Sequence, residues 1–87
     1  MEAADRVLFF QYEGAFARLR KLDDDIKHQL ERLAASAAEA LSPAVRDLAF
    51  LEGLRYERDE ARQALTSAEQ RLLEYLLKRL DSNSPSD

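Results

Sequence analysis

A single proline divides the patterned part of this chain. Pro43 stands in Leu41-Ser42-Pro43 near the midpoint, and the other proline, Pro85, lies in a polar C-terminal stretch. Proline cannot continue a helix, because it lacks the N–H and its ring clashes with the preceding turn. It does suit the first position of a new helix, above all behind a capping serine. The sequence therefore predicts Ser42 as an N-cap and Pro43 as the first residue of a second helix. Asp47 would then sit near that helix's partly positive N-terminus.

The arms on either side both carry helical periodicity. In the first, Leu8, Tyr12, Ala15, Leu19, Leu22, Ile26, Leu33 and Ala40 recur at gaps of three and four or their sums, the spacing of one buried stripe. Phe9, Phe16, Leu30 and Ala37 lie one step round and widen it. In the second, the stripe reads Val45, Leu48, Leu51, Leu54, Ala61, Leu65, Ala68, Leu72, Leu76 and Leu80. With only two glycines among 87 residues and much Ala, Leu, Glu and Arg, the composition favours helix throughout. The expected fold is all-α: an antiparallel two-helix hairpin over residues 1–81. Helix 1 would span about 4–41, the turn 41–43 and helix 2 about 43–80, with a disordered polar tail over 82–87. Helices this long and only half apolar need partners along their length, so the hairpin is expected to build a four-helix bundle or to pack on a partner's helix. Helix 1 has two possible weak points, a kink or close contact at Gly14 and a new cap among Asp23, Asp24 and Asp25.

Folding back at Ser42 sets Ile26 against Arg58 and the charged stretch 21–29 against 55–63. The expectation is a polar waist between two apolar ends, with Asp23 or Asp25 meeting Arg58 or Arg62 and fixing register. The turn end is thin, with Ala34, Ala35, Ala37, Ala38 and Ala40 allowing close helix approach. The open end is bulky. Val7-Leu8-Phe9-Phe10 and Leu72, Leu73, Tyr75, Leu76 and Leu77 surround their helices with apolar groups, more than two helices can shield. Phe9, Phe10, Tyr12, Phe16, Leu73, Tyr75, Leu76 and Leu77 are thus the expected partner-binding residues.

Other chemistries are thinly represented. Asp25 and His28 share a helix face at the i, i+3 spacing of carboxylate-bridged metal bundles, and Glu57 and Glu60 would approach from the second arm. A homodimer would double that set into a ferritin-like metal site. Against it, His28 is the only histidine and Lys27, Arg55, Arg58 and Arg62 crowd the site with positive charge. A small helical nucleic-acid-binding dimer could use Arg18-Arg20-Lys21 and Arg55-Arg58-Arg62. Acidic residues interrupt both clusters, and the net charge is −4, which disfavours nucleic acid. Glu2, Asp5 and Glu13 around Phe9-Phe10 disfavour a membrane surface. No nucleophile–base pair, phosphate loop or cofactor fingerprint occurs. The stretch Leu19-Arg20-Lys21-Leu22-Asp23 is similar to part of the first helix of the all-helical chorismate mutases, whose further pocket-lining Arg and Lys residues have no counterpart here.

With no cysteine, a reducing, cytoplasmic setting fits. The sequence reads as a non-enzymatic, cofactor-free interaction module, a small adaptor, chaperone or regulatory protein. Its partner would be itself or an amphipathic helix of another protein. In size, acidity and hairpin shape it resembles the small co-chaperones of bacterial type III secretion needles, a likeness of architecture that implies shielding of a partner's apolar helix.

Overall fold

The computed structural model describes residues 3–39, 42 and 44–83. Helix α1 spans Ala3–Ala38 and α2 spans Val45–Asn83, and the two pack antiparallel as an all-α hairpin. The result is a rod of 72 × 18 × 17 Å with a radius of gyration of 20.0 Å, against about 12 Å for a compact chain of this length. α1 runs unbroken through Gly14 and through Asp23, Asp24 and Asp25.

Burial follows a seven-residue repeat. The buried and half-buried positions of α2 are 47, 51, 54, 58, 61, 65, 68, 72, 75 and 79, alternating gaps of four and three without exception. In α1 they are 5, 8, 12, 15, 19, 22, 26, 29, 33 and 36, with Asp25 as an addition. A mean step of 3.5 residues is the a/d seam of a coiled coil, which winds its helices left-handed. Leu22, Ile26, Leu54 and Ala61 form the core, flanked by Leu19 and Leu51. No large side chain is fully buried among the described residues.

Several expectations need correction. The middle of the rod is not a polar waist, because the best-buried residues sit there while Asp24, Lys27, His28, Arg55, Glu57, Asp59 and Glu60 face solvent. Charge is dense at this level, but apart from Arg58 and the half-buried Asp25 the helices turn it outward. Ile26 packs in one cluster with Leu54, about one helical turn from the anticipated contact with Arg58, while Arg58 pairs with Asp23 at 3.8 Å, an ion pair the sequence did anticipate. In α2 the apolar run misled at both ends. Val45, Leu48, Leu76 and Leu80 are exposed, and the seam instead takes Asp47, Tyr75 and Arg79. The small residues that let the helices approach are Ala61 and Ala68, while Ala34, Ala35, Ala37 and Ala38 are exposed.

The turn also differs. The amides of Asp47 and Leu48 donate to the Ala44 carbonyl at 3.0 and 3.2 Å, so α2 starts at Val45 and Ala44 takes the cap position. Ser42 lies two residues upstream of that position, so it is not the N-cap. Leu41 and Pro43 lie outside the described residues. Asp47 does occupy the first turn of α2. The helix runs past Leu80 to Asn83, so residues 82 and 83 are helical, and 84–87 lie outside the described residues.

Polar side chains punctuate the seam. Gln29, 4% exposed, donates from Nε2 to the Asp47 carbonyl at 3.2 Å. Arg79 approaches Asp5 at 3.7 Å at the open end. Arg58 is largely buried, and its Nε has no hydrogen-bond partner among the described residues. Burying guanidinium polarity costs more than one partly exposed ion pair returns. Arg58→Leu is therefore expected to raise the thermal midpoint by several degrees, about 1 kcal/mol, in a melt followed by circular dichroism at fixed protein concentration.

Gly14 and Gly53 are exposed, and a Cβ at either would meet nothing within 4 Å. Neither marks a close helix contact in the hairpin. Gly14→Ala and Gly53→Ala should each stabilise the fold by about 0.5–1 kcal/mol in denaturant titrations.

Candidate interaction surface

With the seam fixed, the remaining positions fall on defined sides of the rod. In a right-handed helix the residue after d, position e, lies on one side of the seam, and g lies on the other. Because the helices run antiparallel, the two e rows share one flank and the two g rows share the opposite one. The flanks differ in chemistry. On the e side α1 presents Phe9, Phe16, Asp23, Leu30 and Ala37, and α2 presents Leu48, Arg55, Arg62, Glu69 and Leu76. On the g side α1 contributes Gln11, Arg18, Asp25, Arg32 and Glu39, while α2 adds Glu57, Arg71 and Lys78 with Phe50 and Ala64.

The e flank is apolar at both ends and charged in the middle. At the open end Phe9, Tyr12 and Phe16 form a ladder of tilted rings with centroids 6.4 and 6.3 Å apart. This spacing lies within the range of favourable aromatic pairs. Phe9 and Phe16 remain 44% and 45% exposed, so the ladder leans out of the seam onto the flank. From α2, Leu76 lies on the same flank, and Leu73 and Leu80 extend it one step outward, all three at least half exposed. Near the turn, Leu30 and Leu48 continue the apolar face, at 50% and 43% exposure. Apolar surface is therefore exposed at the turn end too, where Val45 and Phe50 are exposed as well.

The eight anticipated partner-binding residues separate into three groups. Phe9, Phe16, Leu73 and Leu76 lie on or beside the e flank. Tyr12 and Tyr75 are half-buried in the seam, and the Tyr75 hydroxyl accepts from Arg79 at 3.4 Å. Phe10 and Leu77 occupy f positions, pointing directly away from the seam. Leu48 and Leu80 were assigned to the core by their spacing and belong instead to this surface. Leu30 carried a legible signal, standing seven residues apart from the row of Phe9, Phe16 and Asp23.

The candidate metal ligands are not brought together. Asp25 is half-buried on the g side, while His28, Glu57 and Glu60 are exposed. Among the described residues no group of three or more His, Asp or Glu side chains is placed to hold an ion. In the second basic cluster, Arg58 is committed to the seam and Arg55 pairs with Glu52 at 3.2 Å. A hollow of about 650 Å³ beside Tyr12 and Phe16 is lined by α1 alone, a gap between side chains along one helix. No helix of the described residues is long and apolar enough to cross a membrane. No family model, curated protein or solved structure matches the chain.

Adding zinc, manganese or ferrous iron to the purified protein should leave its thermal midpoint unchanged. A cation that bound the native state well below its working concentration would raise that midpoint.

Proposed function

We propose that this protein is a cytoplasmic, non-enzymatic interaction module, a small helical adaptor, chaperone or regulatory protein that recognises another helix through its apolar flank. The observation that supports this reading is the one-sidedness of the rod. Two helices need apolar residues only at a and d to form a hairpin, yet here apolar residues also stand at e near both ends of the rod, Phe9, Phe16, Leu30 and Ala37 in α1 and Leu48 and Leu76 in α2, all on the same side. A wider a/d/e stripe is the pattern of helices that pack against more than one neighbour. Recognition would proceed as an amphipathic helix laid along a groove, with Phe9, Phe16, Leu73 and Leu76 as anchors and charged residues at the middle setting alignment. The cysteine-free composition fits the reducing compartment.

The test is the double substitution Phe9→Glu with Leu76→Glu. Neither side chain belongs to the a/d seam, so helicity by circular dichroism should persist. Assembly mass by light scattering should fall, or proteins retained by the tagged wild-type chain should be lost, by tenfold or more in apparent affinity. Unchanged mass together with unchanged retained proteins would remove the flank as an interface.

A further inference from the structure

We infer that the occupant of the apolar flank is a second copy of this chain, giving a two-fold antiparallel four-helix bundle. This rests on the flank being a docking face, and three further observations single out a copy as its occupant.

The first is symmetry. A two-fold contact joins the same patch on both subunits, so the patch must be complementary to itself. The flank runs apolar, charged, apolar along the rod. Any two-fold lying in the contact plane through the middle of the rod therefore sets apolar on apolar at both ends and charge on charge between. The charged part mixes signs, with Asp23 beside Lys27 on α1 and Arg62 beside Asp59 on α2, so each copy offers both signs to the other at this level. The second is area. The rod's extents of 72 and 18 Å bound the footprint of one side at about 1,300 Å², which leaves room for the roughly 800 Å² per partner that stable complexes bury. The third is what the hairpin lacks. Its accessible surface is 6908 Å², whereas a compact monomer of 10.0 kDa exposes about 5,200 Å². With no large side chain fully buried among the described residues, the hairpin alone has a seam but little interior. Pairing flank to flank would supply one, with Phe16 and Leu30 inside it.

The experiment combines sedimentation equilibrium and light scattering on the full chain and four variants. The wild type should have twice the chain mass of 10.0 kDa. Phe16→Glu at the open end and Leu30→Glu near the turn should each weaken the dimer by about 100-fold or more, because each would place a carboxylate inside the contact. Phe10→Glu and Leu77→Glu, on the side away from the seam, should leave the dimer unchanged. Should a glutamate variant lose its helical signal, Phe16→Ala and Leu30→Ala replace it and should still weaken association. A wild-type mass of 10.0 kDa across micromolar concentrations overturns the second copy, and the flank then stands or falls on the separate retention assay. A dimer indifferent to Phe16 and Leu30 but broken at Phe10 or Leu77 overturns both readings. Sensitivity at Phe16 without sensitivity at Leu30 overturns pairing along the full flank.

Discussion

Everything in this molecule is oriented by one seam whose contacts advance by alternating steps of three and four. Its apolar members are modest in size, chiefly Leu, Ile and Ala, and similar from one turn to the next. Such a seam gains nearly as much apolar burial after a slip of one heptad as in its proper alignment. The polar groups break that degeneracy. Asp5 with Arg79, Asp23 with Arg58, and Gln29 with the Asp47 carbonyl mark the open end, the middle and the approach to the turn. Partly exposed ion pairs contribute only about 0–1 kcal/mol each. Their effect is to penalise misalignment, as isolated polar residues do in other coiled coils.

The hairpin itself was legible in the residues. One proline between two helix-period arms leaves few other folds, and the α1 stripe was read almost completely because apolar residues fill it. The α2 stripe was read correctly only in its middle. From Leu72 the apolar residues continue through Leu76 and Leu80, as a surface row on a straight helix would. The seam turns instead through Tyr75 and Arg79, because a helix wound in a coiled coil keeps a 3.5-residue period from which a straight helix drifts by about 20° per heptad. Arg58 hid the same continuity at mid-chain, since an arginine at a core position looks like a gap. The charged residues near the waist were visible, but which way they faced was not, and that depended on the phase of the seam. The residues expected to bind a partner divide for the same reason. Phe9, Phe16, Leu73 and Leu76 belong to one flank, Tyr12 and Tyr75 fall into the seam, and Phe10 and Leu77 lie behind.

The contrast between the flanks bears on how association ends. A rod apolar on both sides could add neighbours on each and grow without closing. Here the g side carries Gln11, Arg18, Arg32, Glu57, Arg71 and Lys78, with Phe50 as its one large apolar side chain, a surface that water solvates well. One apolar flank admits one layer of contact. The arrangement favours a finite, closed assembly over a fibre.

The hairpin connection also gives the rod a gradient of local stability. Contacts near the turn close short loops, whereas the contact between Asp5 and Arg79 closes nearly the whole chain. Loop closure grows costlier with length, so the hairpin should zip from the turn outward, and the open end should be the last part to close and the first to fray. The aromatic ladder of Phe9, Tyr12 and Phe16 sits at that end, straddling the seam and the flank. A helix docked there would also hold the two arms together, so that capturing a partner and completing the fold would be a single event.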